Sequence, residues 1–344
     1  VTLLVMELSG RVALVTGASR GLGFLLAREL AAQGCRVAIC ARDPEELERA
    51  RAALEREGAR VLAVPCDVAD RVQVERLVAD TVARFGSLDV LVTNAGVIQA
   101  GPLGTMGVED FEDALAVMFW GVVLPTLAAL PHLRAGRGRI VTITSIGGKI
   151  ASPHLLPYDC AKFAAVGFSE GIGAELAREG IRVTTVVPGL MRTGSPRNAY
   201  FKGRTDREYT WFTLADSIPG ISIDAERAAR RIVAAARRGR AELVLTLPAM
   251  VATRVHGVLP GTTTRVLGLV NRVLPRGGAA GQPAEAGSAV DARLGSRAFR
   301  LLTGLTRGAA RRFGQVPGPT AVPPPVRSAR ANGEDGEPPA AGRP

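Results

Sequence analysis

Arg11-Val12-Ala13-Leu14-Val15-Thr16-Gly17-Ala18-Ser19-Arg20-Gly21-Leu22-Gly23 is the stretch that decides the fold of this chain. A short apolar run, Arg11–Thr16, enters a glycine-rich turn, and a helical pattern then continues over Leu22–Gln33. An apolar run of this length that does not alternate with polar residues fits a strand buried on both faces of a parallel sheet. Glycines in the turn let the backbone bend tightly and come close to a pyrophosphate. The start of the helix adds unpaired N–H groups and the positive end of its dipole. Glycine spacing alone is a weak signal; its place between strand and helix gives it weight.

The same rhythm extends outward to about residue 250. Strand-like runs recur at Arg36–Ala41, Arg60–Val64, Leu88–Thr93, Arg139–Thr144, Ile181–Val187 and Glu242–Thr246. Helical patterns lie between them at Pro44–Glu57, Arg71–Phe85, Val108–Leu133, Tyr158–Glu179 and Ala225–Arg238. Strands alternating with helices predict right-handed βαβ units, hence an α/β fold with a doubly wound parallel sheet of about seven strands. Residues 190–222 interrupt the alternation and carry Tyr200, Phe201, Tyr209, Trp211 and Phe212. An insertion of that length reads as a substrate lid, or else as a packed surface helix pair with aromatic anchors.

Composition narrows the class. With 344 residues, 47% of them hydrophobic and 22% charged, the chain has material for a large core; disorder throughout, collagen and a disulfide miniprotein are excluded. Cys35, Cys40, Cys66 and Cys160 form no C-x-x-C pair and read as buried, reduced thiols of a cytoplasmic protein. Three histidines without a Cys/His cluster argue against a structural metal site. Val1 to Met6 is too short and lacks the basic flank of a signal peptide, and Met6 is the expected start. Ala114–Leu133 holds no Asp, Glu, Lys or Arg and is long enough to span a bilayer. Pro125, Gly121 and the strand–helix units on either side favour a buried or interface helix instead.

The formal charge of +11 sits mostly at the C-terminal end, where residues 251–344 carry a net +8. Val258–Leu274 and Leu294–Phe313 read as basic amphipathic helices of an extension over 251–313, separated by a Gly/Ala/Pro linker at Gly277–Ala289. Residues 314–344 form a Pro-rich tail expected to be disordered. The basic helices fit either packing on the core or peripheral contact with anionic lipid. Nucleic acid is not an expected partner, because Phe299 and Phe313 are the tail's only aromatics and no binding module is recognisable.

Six ordered motifs over residues 8–250 make the chain resemble the short-chain dehydrogenase/reductase family. Thr16-Gly17-x-x-x-Gly21-x-Gly23 matches its glycine motif, Asp67-Val68 its adenine contact and Asn94-Ala95-Gly96 its Asn-Ala-Gly motif. Ser145 precedes Tyr158 by 13 residues, Lys162 follows by four, and Pro188-Gly189 with Thr193 matches the nicotinamide-side motif. The resemblance implies a Rossmann fold, an NAD(P) cofactor, a small-molecule carbonyl or alcohol substrate and a homo-oligomer. It implies cofactor contacts at Gly17, Ser19, Arg20, Gly21, Leu22, Gly23, Arg42, Asp67, Val68, Asn94, Ala95, Gly96, Tyr158, Lys162, Pro188, Gly189 and Thr193. It implies Ser145, Tyr158 and Lys162 as catalytic residues, with no metal.

Chemistry supports those roles. A free tyrosine has a pKa near 10. Lys162, one helical turn from Tyr158, is expected to draw that value toward neutrality by favouring the phenolate. For the cofactor, Asp43 lies where an NAD-selecting acid is sought, yet Asp43-Pro44-Glu45-Glu46 also reads as a helix start. Arg20 and Arg42 together suit a 2′-phosphate, so NADP is favoured over NAD. The family often has an Asn in its fourth helix, three residues before a glycine, that holds a proton-relay water. Met118, three before Gly121, stands there instead, which leaves a noncatalytic dinucleotide-binding protein as the alternative. His154 is a candidate substrate contact, His132 a surface or capping residue, and Cys160 a packing residue. The aromatic insertion, with Leu155 and Leu156, points to a medium or bulky apolar substrate.

Overall fold

The computed structural model describes residues 5–217, 222–279 and 282–294, together with Thr303 and Gly308. Seven parallel strands form the central sheet: β1 (Val12–Thr16), β2 (Arg36–Ala41), β3 (Val61–Pro65), β4 (Val90–Thr93), β5 (Arg139–Ile143), β6 (Arg182–Val187) and β7 (Glu242–Val244). Their spatial order is β7-β6-β5-β4-β1-β2-β3. The chain order reverses between β1 and β4, and a crevice opens there beyond the carboxyl ends of the strands.

Helices α1 (Gly21–Ala32), α2 (Pro44–Arg56), α3 (Arg71–Phe85), α4 (Val108–Leu115), α5 (Gly121–Gly136), α6 (Leu156–Leu176), α7 (Thr205–Ser217) and α8 (Ala225–Arg237) follow the expected alternation. Their starts are written locally. Asp43, Asp70 and Asp224 accept hydrogen bonds from the backbone N–H groups of Glu46, Gln73 and Arg227 at 2.9, 3.1 and 3.0 Å. Alternate β1 side chains serve two cores: Ala13 and Val15 pack with α1 and α8, while Val12 and Leu14 pack toward α3, α5 and α6.

The long apolar helix expected over Val108–Leu133 is divided. Residues Ala116–Trp120 form a π-helical turn between α4 and α5. Pro125 cannot donate to the carbonyl of Gly121 and its ring crowds it, which accounts for a widened turn just before. The stretch is long and apolar enough to cross a membrane, but half of it is buried inside the fold.

The described part of the 190–222 insertion, residues 190–217 and 222, is built of short regular elements. Tyr200–Phe201 pairs on one side with Gln99–Ala100 and on the other with Glu285–Ala286. Phe201, Tyr209 and Phe212 pack with Ala100, Ala199 and Val290 into a small core of their own. The linker expected over Gly277–Ala289 therefore stops short: Glu285–Ala286 is a strand, and a helix follows over Gly287–Arg293. Gly287 lies so near the insertion that a Cβ there would meet the Pro196 carbonyl oxygen at 2.0 Å.

Before that helix, the helix expected over Val258–Leu274 is α10 (Pro260–Asn271), preceded by a further helix, α9 (Leu247–Val258), that was not expected; Gly287–Arg293 becomes α11. Pro260 has no N–H to carry α9 onward, and instead opens α10. Apart from Leu294, Thr303 and Gly308, the helix expected over Leu294–Phe313 and the tail from Gln315 lie outside the described residues.

Candidate active site

The crevice begins at the β1–α1 turn. Gly17 and Gly21 have φ of 62° and 58°, a conformation that favours glycine. A Cβ on Gly17 would lie 2.7 Å from the Ala95 Cα, and one on Gly23 would lie 2.2 Å from the Gly17 carbonyl oxygen. Asn94 staples this loop: its Nδ2 donates to the carbonyls of Thr16 and Gly17, both at 3.0 Å. The Asn94 and Ala95 N–H groups donate to the Thr16 hydroxyl at 2.9 and 3.2 Å. No side chain caps α1, so its first N–H groups are free for a phosphate. Cradle and helix start fit a dinucleotide pyrophosphate.

The other expected cofactor residues surround this cradle. Asp67 and Val68 follow β3; the Asp67 Oδ1 accepts from the Ala69 N–H at 3.0 Å, and Val68 is buried. Arg42 follows β2 and is exposed, whereas Asp43 is engaged as the α2 cap. Arg20 departs from expectation: its Nη1 lies 2.7 Å from both carboxylate oxygens of Glu46, so Arg20 and Arg42 do not both present free guanidinium groups. Ser19 also donates to Glu46, at 3.3 Å. Pro188 and Gly189 follow β6, and the Pro188 carbonyl accepts from the Ile146 N–H at 2.8 Å. Thr193 is buried and bonded to the Ser195 hydroxyl.

The catalytic candidates converge at the ends of β5 and α6. Ser145 acts on the Tyr158 phenol closely enough to draw its pKa down, and Ser145 Oγ accepts from the Gly147 N–H at 3.0 Å. Lys162 Nζ donates to the Ile143 carbonyl at 3.0 Å and lies 5.8 Å from the Tyr158 ring centroid. Gly96 connects the two halves: a Cβ there would sit 3.8 Å from Lys162 Nζ and 3.7 Å from the Met118 sulfur. Met118 thus occupies the expected place, buried in the π-helical turn.

The short chain dehydrogenase family matches residues 11–200. The chain belongs to that family. A Streptomyces violaceoruber protein named as a granaticin polyketide synthase ketoacyl reductase is 43% identical over 185 residues, 53% of this chain and 68% of that protein. A 2-(R)-hydroxypropyl-CoM dehydrogenase of Xanthobacter autotrophicus is 40% identical over 188 residues, 53% of this chain and 75% of its own. Among solved structures, a variant actinorhodin polyketide ketoreductase with NADPH superposes at a TM-score of 0.61 and 33% identity, covering 70% of this chain and 97% of that one. A Mycobacterium paratuberculosis short chain dehydrogenase bound to NAD gives 0.59 and 25%, over 70% and 97%. The chain is accordingly an NAD(P)-dependent oxidoreductase, and none of its relatives' substrates transfers with the fold.

The electrostatics of this short chain dehydrogenase differ from the sequence expectation. Burial pushes the Tyr158 phenol up to about 12; Ser145 pulls down, while Asp159 and Asp216 push up. Burial also pushes the Lys162 ammonium down to about 8. Lys162 is not among the groups that lower the Tyr158 value; desolvation is the largest influence on both groups.

Two acids escaped the sequence reading. Asp159 and Asp216 are buried, and burial raises each carboxyl to about 8. Asp159 accepts from the Ser152 N–H at 2.6 Å and so anchors the loop before Tyr158. Asp216 comes from α7, and no motif marks it; only the folding of α7 over the crevice brings its charge to bear on Tyr158. His154 differs from its expected role. Its φ is 68°, and its Nδ1 lies 3.0 Å from both oxygens of the fully buried Glu208, which also accepts from Trp211 Nε1 at 2.7 Å. The ring ties the loop before Tyr158 to α7. Cys160 is exposed rather than packed, unlike the other three cysteines. His132 is half-buried near the end of α5.

Proposed function

We propose that this dehydrogenase prefers NADP and interconverts the carbonyl and secondary alcohol of a medium or bulky apolar substrate. The observation carrying this reading is the Lys162 ammonium 5.8 Å from the Tyr158 ring centroid, with Ser145 acting on the same phenol, next to the glycine cradle. The cofactor, when bound, supplies the hydride acceptor or donor. Gly17, Ser19, Arg20, Gly21, Leu22 and Gly23 would hold its pyrophosphate end, with Asp67 and Val68 at adenine. Asn94, Ala95, Gly96, Pro188, Gly189 and Thr193 would border its nicotinamide half, with Tyr158 and Lys162.

Tyr158 gives its hydroxyl proton to the substrate oxygen in reduction and takes it back in oxidation. Ser145 orients that oxygen by hydrogen bonding. Lys162, whose Nζ lies 5.8 Å from the Tyr158 ring centroid, would hold the nicotinamide ribose beside the phenol. Residues 190–222 act as the lid, and their aromatic core excludes water from the bond being made. The apolar substrate class is supported by Leu155, Trp211 and Phe212 around α7 and by the resemblance to polyketide ketoreductases.

NADP preference rests on Arg42, exposed just after β2, with Arg20 held nearby by Glu46. The enzyme works in the cytoplasm as a homo-oligomer, for which Trp120, Leu127 and Phe163 form an exposed apolar face on α5, α6 and the turn before α5.

Nicotinamide fluorescence titrations with NADPH and NADH test the reading. A charge-assisted contact contributes about 1.5–3 kcal/mol, so Arg42→Ala is expected to weaken NADPH binding at least about tenfold and leave NADH binding unchanged. Tyr158→Phe should retain NADPH and lose turnover across a panel of apolar ketones. Tighter binding of NADH by wild type would overturn the NADP preference, and full activity of Tyr158→Phe would overturn the proton-transfer role.

A further inference from the structure

Helices α9 and α10 leave the edge of the sheet beyond β7 as a hairpin whose apolar side chains point outward. Leu247, Met250, Val251, Val255 and Val258 share one face of α9, and all five are exposed. Val266, Leu269, Val270 and Val273 repeat the spacing through α10 and just beyond it, and all four are exposed, Val273 to 83%. The only residue buried on α9 is Ala249, and none is buried on α10. A contiguous apolar surface of this kind marks a contact site.

Charge identifies what meets it. Between residues 243 and 284 the chain contains Arg254, Arg265, Arg272 and Arg276 and no Asp or Glu. All four arginines are exposed, and none is ion-paired with a described residue. A second copy of the hairpin would set arginines against arginines. The chain's own residues 295–344 carry eight arginines against three acids, so they too are basic. The complementary partner is an extended anionic surface that also accepts apolar side chains.

We infer that the α9–α10 hairpin docks on an anionic lipid bilayer, its apolar faces entering the interface and its arginines meeting headgroup phosphates. The docked end reaches the loop that precedes Tyr158 in the chain. Asn271, Arg272 and Pro275 line a cavity of about 230 Å³ together with Pro102 and His154. His154 lies on the loop between Ser145 and Tyr158, so an apolar substrate dissolved in the bilayer would reach the enzyme on this side. The docking itself does not depend on the substrate or cofactor proposed above.

Co-sedimentation of the full chain with phosphatidylcholine vesicles, with and without phosphatidylglycerol, tests the inference. Pelleting is expected with the anionic vesicles and should fall on adding salt. Leu269→Glu with Val270→Glu should lower the bound fraction more than about tenfold, and Arg265→Gln with Arg272→Gln by roughly fivefold per charge. Because α10 buries nothing, both variants should keep the thermal transition and NADPH affinity of wild type, so a failure of folding or of the cofactor site would be recognised separately. Absence of pelleting, or equal pelleting on neutral vesicles, overturns the proposal. So does a dimer that Leu269→Glu dissolves, which would place a second copy on the same face.

Discussion

Replacing Lys162 by Met is expected to stabilise the cofactor-free enzyme near pH 7 while abolishing turnover. Lys162 is 4% exposed, and its Nζ donates to the Ile143 carbonyl at 3.0 Å. Its depression from 10.5 to about 8 corresponds to roughly 3 kcal/mol against the charged form in the folded state. With a folded value below the unfolded one, that penalty is complete below about pH 8. It fades as pH rises toward 10.5, above which both states are neutral. Met is close in volume and removes the penalty, but forfeits the bond to Ile143, about 1 kcal/mol. The net expectation is a variant about 2 kcal/mol more stable than wild type at pH 7 and about 1 kcal/mol less stable in strong alkali. Asp159 and Asp216 ionise in both proteins and cancel in the comparison. Urea unfolding of the two proteins across that pH range measures the difference. A variant less stable at pH 7, or a difference that ignores pH, would refute the reasoning, because the ammonium would then have a compensating partner in the folded state.

Gly23→Ala should cost about 2–3 kcal/mol and weaken NADPH binding at least tenfold, since its Cβ would sit 2.2 Å from the Gly17 carbonyl and 2.5 Å from Asn94 Nδ2. Thermal unfolding and cofactor titration check both effects, and wild-type values in both would mean the cradle is looser than its geometry. Asp216→Asn should raise stability relative to wild type much more at pH 9 than at pH 5. A carboxyl raised from 3.8 to about 8 lowers stability progressively as pH climbs through that window, and Asn has no charge to bury. Melting temperatures at the two pH values decide it; an equal difference at both would show that Asp216 does not titrate there.

The strand–helix alternation and the glycine turn were legible because each depends on local chemistry. Apolar runs such as Val12–Thr16 need burial on both faces, and Asp43 with Pro44 starts α2 whatever packs upon it. The places where the reading changed are places where distant segments compete. Arg20 turned to Glu46, 26 residues away, rather than standing free beside Arg42. His154 turned to Glu208, 54 residues away. Met118 was legible as a departure, but its π-helical setting follows from how Pro125 fits the turn before it.

Sequence by itself determined the sheet, the order of the motifs and the placing of Tyr158 and Lys162 on one face of a helix, because spacing along a strand or a helix fixes which side chains share a face. Tertiary structure alone decided their electrostatics. Burial sends Tyr158 up and Lys162 down, and Asp216 reaches Tyr158 only through the fold of α7. Desolvation depends on what surrounds a group from every side, and no window of sequence contains that. The hairpin obeys the same division. Its apolar spacing and its arginines were written in order, but only the packing showed that nothing among the described residues covers them.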